Sequence, residues 1–449
     1  MKEAVVSSIP LSFTLLSPIH IGSQKQQLER DLEFILDNGK CYVVDDKKLL
    51  AEVARRNQLD KFIADSGSSD FKLSEFLGIS SLQENRRKEL LTSISSYSCS
   101  CKVGVGRSIR PFIRNAHAQP YIPGGALKGA FRTAILYCWL KERKKDTTFW
   151  NREIISKLKT RLDAPEPRDP EQKRRQLGDF IEEFLQHFDL YYEYEGLQRK
   201  VEKAEPQQTD LLRSLRIPDF PPMDKDSLEI KEVRVISLTS GNTCKFSRKR
   251  KGDTNLPVRI QPELLMSGKL NFELQIDVEL WDRFRSNKTW SSIKELVERK
   301  GEQKAPGAVQ GDRGKKLLLG LLSCCQEFAE DVFRYEKDLF ARLRPDPAQP
   351  DLDLRTLQDF YAQLGRKAPN LRIGWGSGMR AAGIFGLIED KDIIERVARL
   401  FLHYQRGKLP YGRLQDGDSI FELFPKTRRV VMRGGIPAAT MGWARLEVV

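Results

Sequence analysis

The sequence contains few residues of the kinds that build metal centres and disulfide frameworks. It has four histidines in 449 residues, and its seven cysteines form no C-x-x-C pair. Cys99 and Cys101 are separated by a single residue, and Cys324 and Cys325 are adjacent. Neither spacing suits a structural zinc site or a secreted disulfide scaffold. We therefore expect reduced, structural cysteines, no bound metal and no cofactor.

Long apolar runs are also missing. No stretch of the sequence approaches the ~20 apolar residues that a membrane-spanning helix requires. The apolar N-terminal segment contains Pro10 and Pro18, and its LSFTLL portion alternates between apolar and polar residues. This pattern favours a β-strand over a signal peptide. We expect a cytoplasmic protein that does not enter a membrane.

Two common nucleotide-binding motifs are absent from the glycine-rich segments. In YIPGGALKGAFRTAIL, Gly124 and Gly129 have the interval of a P-loop, but Ala130 occupies the position of its lysine. In RIGWGSGM, Gly374 begins a dinucleotide-binding pattern whose third glycine is replaced by Met379. These departures argue against a mononucleotide or dinucleotide site.

Positive charge, by contrast, is present in excess. Lysine and arginine number 76 against 62 acidic residues, which gives a formal net charge of +14. Such an imbalance favours a polyanionic partner, either nucleic acid or a membrane surface. A basic protein that has no polyanionic partner is the alternative that composition alone leaves open.

The hydrophobic pattern is typical of an α+β protein. LEFILDNGKCYVVDD is a β-hairpin whose turn is Asn38-Gly39, and Asp45 or Asp46 caps the helix that follows. Strict alternation of apolar and polar residues predicts strands over 230–240 and 270–280. The helices predicted from the longer periodic runs lie at about 125–143, 312–338 and 354–365.

One unit of this pattern occurs twice along the chain. Each half contains strands, helices and a glycine-rich loop between a strand and a helix, which favours domains of the split βαβ type. We predict a first domain over residues 1–240, with helical insertions at about 60–98 and 141–216. A second domain with helical segments is predicted over 241–449.

The first glycine-rich loop leads into a helix that carries cations where they are poorly placed. Lys128 and Arg132 are four residues apart, so they share one face near the positive N-terminal end of the helix dipole. Free N–H groups at a helix start attract anions, and Gly124, Gly125 and Gly129 would let a ligand approach the backbone. We therefore expect the loop to bind phosphate. The alternatives are a plain turn with solvated cations, and structural cations that pair with acids of the segment 141–216.

The second glycine-rich loop, LRIGWGSGMRAAGIF, combines glycine with arginine and an aromatic ring. This composition suits a sugar–phosphate backbone with a base stacked on Trp375, whereas a core position for Trp375 is the alternative. Two such loops in a basic chain make extended single-stranded RNA the expected ligand. The residues of this loop with predicted RNA contacts are Gly374, Gly376, Gly378 and Arg380, and Arg372 lies on the other side of the glycines.

A third basic element lies in the turn-rich segment CKFSRKRKGDTNLP, which is predicted to form a mobile loop. We predict phosphate contacts for its charges, although a solvated charge run is the alternative. The same two interpretations apply to Lys426, Arg428 and Arg429 near the C-terminus. The residues of the third element with predicted RNA contacts are Arg248, Lys249, Arg250 and Lys251.

His20 lies just after the first predicted strand and beside Gly22. A single histidine can act as a general base on RNA, but no second acid–base partner is evident. No cluster of acidic residues with metal-ligand spacing is evident either. We therefore predict local hydrogen bonding for His20, include it among the RNA-contacting residues, and predict no catalytic residue and no enzymatic activity.

Four motifs together resemble a known family. SPIHIGS, YIPGGALKGAFRTAI, LRIGWGSG and FPKTRRVV…PAATMGWARLEV are similar to motifs of the RAMP proteins of CRISPR systems. Their order most resembles the fifth Csm subunit of type III-A effector complexes. The motifs occupy both ends and the middle of the chain, so the resemblance covers most of it, although the segment 141–216 has no counterpart that we can match.

The resemblance implies a fold, partners and a role. It implies two RRM-like (ferredoxin-like) domains and a position at the head of a helical complex, against the last backbone RAMP subunit, near the 3′ part of the CRISPR RNA. Members of the family support guide maturation and assembly of the complex and are not its target-RNA nuclease; target RNA is a further partner that the resemblance allows.

The motif positions also assign loop residues. Gly124, Gly125, Lys128 and Gly129 match the first loop of the family, and Gly374, Gly376 and Gly378 match the second. The segment GGALKG departs from the more usual GSSLKG, which removes two hydroxyl groups that could donate to phosphate.

Three functions are consistent with the sequence. The first is a non-catalytic CRISPR RNA-binding subunit of a type III effector. The second is an RNA-processing endoribonuclease of the same superfamily with His20 as general base. The third is a scaffold that binds only proteins, whose charge serves neighbouring subunits.

Overall fold

The computed structural model describes most of the chain. The described residues are 6–163, 191–194, 197–200, 210–239, 242–251, 254–283, 291–305, 313–347, 349, 352–402 and 425–449.

The helices of the described residues are spread along the chain. In order they are α1 (Asp46–Arg55), α2 (Leu59–Ser66), α3 (Leu73–Phe76), α4 (Glu84–Ile94), α5 (Gly124–Arg143), α6 (Thr147–Phe149), α7 (Ser156–Asp163), α8 (Val278–Arg283), α9 (Ser291–Lys304), α10 (Arg313–Arg342), α11 (Arg355–Arg366) and α12 (Lys391–Leu402). A π-helical segment spans Trp150–Ile155, and short 3-10 turns span Ile79–Ser81, Leu211–Ser214 and Ile384–Leu387.

The strands are mostly short. In order they are β1 (Val6–Leu15), β2 (Leu28–Glu29), β3 (Phe34–Asp37), β4 (Lys40–Val44), β5 (Ser95–Cys101), β6 (Ser108–Ile109), β7 (Tyr191–Tyr194), β8 (Leu197–Lys200), β9 (Leu215–Arg216), β10 (Glu229–Ile230), β11 (Val233–Thr239), β12 (Thr243–Phe246), β13 (Arg248–Lys251), β14 (Thr254–Pro257), β15 (Arg259–Ile260), β16 (Glu263–Leu264), β17 (Lys269–Asp277), β18 (Arg344–Pro345), β19 (Leu371–Arg372), β20 (Thr427–Arg433), β21 (Ile436–Ala439) and β22 (Trp443–Val448).

The sheet that positions the site has β1 at its centre. The strand order is β19-β22-β1-β17-β9, and β1 pairs antiparallel with both β17 and β22. Alternation along β17 buries Phe272, Leu274 and Ile276 on one face and exposes the residues between them. This is the pattern of a sheet with one face on the core.

The described residues form two further large sheets. Their strand orders are β16-β10-β5-β4-β3 and β18-β12-β11-β20-β21, and β15 also pairs with β11. Each of the three larger sheets contains strands from before and after residue 240. The predicted boundary at residue 240 therefore does not coincide with a separation between sheets, and the division into two domains stays a prediction.

Helix α5 passes through the interior. Every residue from Ala134 to Leu140 is buried, so this half of the helix is covered on all sides. Helix α10 packs against both α5 and β1. A helix that is apolar all round belongs in a core, and the run AILYCWL has that composition.

Several local predictions are confirmed. Asn38 and Gly39 both have positive φ, at 43° and 71°, as a type I′ hairpin turn between β3 and β4 requires. The carboxylate of Asp45 accepts hydrogen bonds from the backbone N–H groups of Lys47 and Lys48 and caps α1. The seven cysteines are all free and buried.

Other local predictions are wrong. The basic run 248–251 is strand β13, which pairs with β14 in a hairpin instead of forming a loop, because the Thr254–Pro257 segment supplies a partner strand. The segment 141–216 is not wholly helical, since it contains the β7–β8 hairpin and β9. The second glycine-rich loop leads into a 3-10 turn, and the next helix, α12, begins only at Lys391.

The insertion predicted at about 60–98 is helical over most of its length and has a packed core. It forms α2, α3 and α4, whose apolar residues pack with those of β3, β4 and α1 in a small core of their own. Its last residues belong to β5, in the middle of a sheet. Within the described residues, no helix is both long and apolar enough to cross a membrane.

Candidate nucleic-acid interface

Three motifs that are far apart in sequence meet beside the central sheet. The backbone N–H of Gly442 donates to the carbonyl of Pro18 at 2.9 Å, and that of Ile373 donates to the carbonyl of Gly442 at 2.9 Å. The N–H of Trp375 donates to the carbonyl of His20 at 2.8 Å. Because β19, β22 and β1 are neighbours in one sheet, the segments that leave them lie side by side.

Gly374 allows this close approach. Its φ is +85°, a conformation that favours glycine, and a methyl group on it would lie 2.7 Å from the carbonyl oxygen of His20. At Gly376 a methyl group would meet the side chain of Met441, whereas the space at Gly378 is open. Gly374 and Gly376 thus permit close packing of the second loop, whereas Gly378 faces open space.

Trp375 is half-buried and has two arginines beside its ring. The Cζ atom of Arg110 lies 4.9 Å from the indole centroid, and that of Arg429 lies 4.6 Å from it. Arg110 is half-buried in the loop after β6, and Arg429 is on the exposed side of β20. Guanidinium groups at this distance from an indole make cation–π contacts.

Neither Arg110 nor Arg429 forms an ion pair with an acidic side chain among the residues that the structure describes. Desolvation lowers the pKa of both, and the proximity of Arg110 lowers the pKa of Arg429 further. Two like charges held close together repel each other, and an anion placed between them would remove that repulsion. The pair therefore has the electrostatics of an anion site.

His20 is 1% exposed and lies under this cluster. Its Nδ1 is 2.9 Å from the carbonyl oxygen of Glu263, and its ring meets Trp375 and Phe112 edge to face. Burial lowers the pKa of His20 to about 4, and the charge of Arg110 contributes to that shift. The imidazole is therefore neutral at neutral pH. Its Nε2 is buried and has no hydrogen-bond partner.

Glu263 links the residues around His20. It is fully buried, and its carboxylate accepts hydrogen bonds from the N–H of Phe112 at 2.9 Å and from Arg114 at 3.3 Å. The guanidinium of Arg114 in turn lies 3.5 Å from the ring centroid of Tyr97. The carboxylate is thus fully engaged in structure, and it offers no second acid–base group to His20.

The arginines that flank the second loop have structural partners. Arg372 is buried and pairs with Glu336 at 2.5 Å. Tyr361 donates to the same carboxylate at 2.5 Å. Arg380 lies 3.8 Å from the ring centroid of Tyr335, to whose hydroxyl Arg428 donates at 3.1 Å. Of the C-terminal basic residues Arg428 and Arg429, only Arg429 belongs to the Trp375 cluster.

The first loop already has anions from the chain itself. The N–H of Gly124 donates to the carboxylate of Asp219 at 2.9 Å, so Asp219 occupies the start of α5. Arg132 forms an ion pair with Asp210. Lys128 donates to the carbonyl of Leu215 at 3.1 Å, and burial lowers its pKa. The segment around β9 therefore neutralises Arg132 through Asp210 and holds Lys128 through a backbone carbonyl.

The glycines of the first loop differ in accessibility. Gly124 is buried, and a methyl group on it would lie 2.2 Å from the carbonyl oxygen of Ile217. Gly125 is exposed, and Gly129 is half-buried on α5. Of the third basic element, Arg248 is exposed on β13, whereas the side chains of residues 249–251 lie outside the described residues.

The sequence prediction missed Arg110, Glu263 and Arg114. The available signal was the spacing in RPFIR, where two arginines four apart follow a short strand pattern and flank Phe112. In the part of the chain that the structure describes, no group of three or more histidine, cysteine or acidic side chains could hold a metal ion.

Comparison with known proteins gives a family and relatives. The family model of the RAMP superfamily matches residues 12–316. A curated relative from Streptococcus thermophilus, described as CRISPR system Cms protein Csm5, is 33% identical over 153 residues. That alignment covers 32% of this chain and 40% of the relative, so it spans well under half of the relative's length.

Two solved structures share the fold. One is the cryo-EM structure of a Csm–crRNA–target RNA ternary complex of a type III-A CRISPR-Cas system, with 23% identity and a TM-score of 0.54. The other is the crystal structure of T. onnurineus Csm5, with 20% identity and a TM-score of 0.54. Each alignment covers 98% of this chain and 100% of the other. The resemblance to RAMP proteins drawn from the motifs is confirmed.

Proposed function

This chain belongs to the RAMP superfamily, and from that premise we propose that it is a non-catalytic CRISPR RNA-binding subunit of a type III-A Csm effector complex. The curated Csm5 relative and the two structural neighbours support the proposal. In this role the protein caps the complex near the 3′ part of the guide RNA, against the backbone RAMP subunit, in the cytoplasm. It supports guide maturation and the targeting of foreign RNA.

The observation that carries the proposal is the position of Trp375 beside two arginines that have no acidic partner among the described residues. The pair Arg110 and Arg429 provides positive charge for a phosphate, and the half-buried indole provides an apolar ring for a base or a ribose. Aromatic rings in a positively charged groove are the usual means of binding single-stranded nucleic acid without reading its sequence. The net charge of +14 favours the same partner.

The other residues with predicted RNA contacts contribute less to the proposed RNA binding. At the first loop, the exposed Gly125 leaves backbone free for contact, but Lys128 and Arg132 are engaged by the chain itself. We assign the loop Gly124–Gly129 mainly to packing and only its exposed edge to RNA. The basic hairpin of β13 and β14 and the half-buried Arg380 are proposed to contact the backbone of the same RNA.

The architecture of the proposal is two RRM-like units that exchange strands. Each half of the chain supplies strands to every one of the three larger sheets, so the units interlock. A rigid, interlocked body suits a terminal subunit, because it presents one face to a neighbouring subunit and another to RNA. The division near residue 240 is then a boundary between sequence repeats more than between separate bodies.

The alternative of an RNA-processing endoribonuclease rests on His20. Its neutral imidazole has the protonation state of a general base. The carboxylate of Glu263 is engaged by Phe112 and Arg114, however, so no second acid–base group is paired with the imidazole. The geometry therefore supports binding better than cleavage.

The experiment is purification of the chain after co-expression with its neighbouring Csm subunits and a CRISPR array, followed by sequencing of the RNA that copurifies. We expect guide RNA and the backbone subunit in one particle. Removal of both charges beside the indole, in Arg110→Gln with Arg429→Gln, should reduce the RNA recovered per mole of this chain. A particle that assembles without RNA and ignores salt would instead identify a scaffold that binds only proteins.

A further inference from the structure

The tautomer of His20 is fixed by its surroundings. A carbonyl oxygen only accepts hydrogen bonds, so the contact between Nδ1 and the carbonyl of Glu263 places the ring proton on Nδ1. The imidazole is neutral, and Nε2 therefore carries a lone pair and acts only as an acceptor.

This acceptor lacks a donor. Nε2 is buried, and no described group donates to it. Leaving a buried acceptor without a partner costs free energy, and such groups are uncommon in native structures. The rings of Trp375 and Phe112 meet the imidazole edge to face, and neither residue donates a hydrogen bond to Nε2. Since no described residue donates to this acceptor, a bound ligand with an O–H or N–H group would satisfy it.

Gly22 leaves a path to this acceptor. Gly22 is exposed, and a methyl group placed on it would lie 3.7 Å from Nε2, with no other atom within 4 Å. A side chain there would narrow the approach of a ligand to Nε2, which is itself buried in the free chain. Arg110 lies close enough to His20 for its charge to act on the ring, so the opening is next to the anion site.

These contacts indicate which chemical groups such a ligand carries. It must carry a hydrogen-bond donor next to an anion, and it must be narrow enough to pass Gly22. A ribose 2′-hydroxyl belongs to the same nucleotide as a phosphate, occurs in every RNA residue, and is the group that distinguishes RNA from DNA. A donor on a base would instead make binding depend on sequence.

We infer that Nε2 of His20 accepts a hydrogen bond from the 2′-hydroxyl of a nucleotide whose phosphate is held by Arg110 and Arg429, so that this site selects RNA over DNA. The inference rests on the proposed function and names the chemistry of the same site. Because Nε2 is buried in the free chain, binding requires a small displacement of the groups that cover it.

The test compares three short unstructured oligonucleotides of one sequence: RNA, DNA and RNA with 2′-O-methyl groups. Binding to the full chain is measured by fluorescence anisotropy. We expect the wild-type chain to bind RNA roughly three- to tenfold more tightly than either of the others, the range expected for loss of one hydrogen bond.

Two variants remove the contact in different ways. His20→Asn keeps an amide N–H that can donate to the carbonyl of Glu263 but has no acceptor at the position of Nε2. Gly22→Ala keeps the imidazole and narrows the path to it at an ordinary contact distance, so the fold should be retained. Both should bring RNA affinity down to DNA affinity without changing the latter. Gly104→Ala, in open space on another loop, is the matched control and should keep the preference.

The outcomes separate this inference from the function on which it rests. If the wild-type chain binds RNA and DNA equally, or if Gly22→Ala and a folded His20→Asn keep the preference for RNA, the inference is wrong and RNA binding stands. If His20→Asn fails to fold, Gly22→Ala decides alone. If no oligonucleotide binds the wild-type chain, alone or with its neighbouring subunits, the proposed function itself fails.

Discussion

The backbone N–H of Trp375 donates to the carbonyl oxygen of His20 across 2.8 Å, so the second glycine-rich loop is fastened directly to the segment that follows the first strand. This contact holds the indole over the imidazole, and it brings Trp375 within reach of Arg110 and Arg429. A loop from one end of the chain and a turn from the other thus build one site.

The glycines of this loop should differ in their tolerance of a side chain. Gly374 and Gly378 both have left-handed φ, at +85° and +87°, so alanine adds backbone strain of ~1 kcal/mol at either position. At Gly374 the new methyl group would also meet the carbonyl of His20 at 2.7 Å, whereas at Gly378 it meets nothing within 4 Å. We expect Gly374→Ala to lower the free energy of unfolding by at least ~1 kcal/mol more than Gly378→Ala.

Chemical denaturation of the two alanine variants beside the wild-type chain measures this difference. Equal losses of stability would show that the loop does not hold its position against His20.

Arg132 is expected to contribute to stability more than to RNA binding. Its partner Asp210 is largely buried, and Arg132→Glu would place two carboxylates together, so we expect a loss of about 2 kcal/mol in the free energy of unfolding. The exposed pair Lys72 and Glu75 is the matched control, and Lys72→Glu should cost much less because water screens an exposed pair.

The charge swap Arg132→Asp with Asp210→Arg should recover at least half of that loss, as read from thermal melting. A variant Arg132→Glu that melts like the wild-type chain but no longer binds RNA would restore the phosphate role that the sequence alone suggested.

The buried imidazole makes stability depend on pH in acid. The unfolded chain binds a proton at His20 with a pKa of 6.5, whereas the folded chain binds it only near 4. Between these values the unfolded state holds more protons, so stability falls as pH drops from 6.5 towards 4, by about 3 kcal/mol in all. The charged side chain that acts on the ring is Arg110, whose guanidinium stays charged over this range. Glu263 faces it through its backbone carbonyl.

Denaturation at pH 7 and at pH 4.5 should therefore show a smaller acid loss in His20→Asn than in the wild-type chain. Other groups, such as Glu52 with its lowered pKa of about 2, contribute equally to both proteins and cancel in the comparison. Identical acid losses in the two proteins would mean that His20 is not held neutral by burial.

We expect the purified protein to show no ribonuclease activity of its own, with or without added divalent metal. The nearby carboxylate of Glu263 accepts hydrogen bonds from Phe112 and Arg114, so the second group needed for general acid–base cleavage is not paired with His20. The measurement is incubation of a labelled repeat RNA with the protein, followed by gel analysis. Cleavage that disappears in His20→Asn would promote the endoribonuclease alternative.

Local sequence signals predicted much of the secondary structure. The Asn38-Gly39 turn, the cap at Asp45 and the long helices α5, α10 and α11 depend on neighbouring residues, and each followed from periodicity or turn chemistry. The strands β11 and β17 followed from alternation in the same way. Contacts between residues close in sequence leave a local pattern, and these elements have one.

The full set of residues that form the site could not be predicted from local sequence patterns. Trp375, His20 and the glycines of the second loop were singled out from their motifs, but Arg110 and Glu263 join them only through the pairing of segments far apart in sequence. Pairing of Lys128 and Arg132 with acids of the segment 141–216 was one of the alternatives, but Asp210 and Leu215 could not be named, since the return of the chain near β9 leaves no periodic signal.

The most direct test of RNA binding at Trp375 is the salt dependence of RNA affinity. Log affinity for a single strand falls with log salt by about 0.7 per neutralised phosphate contact, so Arg110→Gln with Arg429→Gln should reduce the slope by about 1.4 and weaken binding at low salt. The double variant Arg86→Gln with Lys88→Gln removes the same charge from exposed positions of α4 and should keep the wild-type slope. If the two double variants have the same slope and affinity, RNA does not bind at Trp375 and the proposed site is wrong.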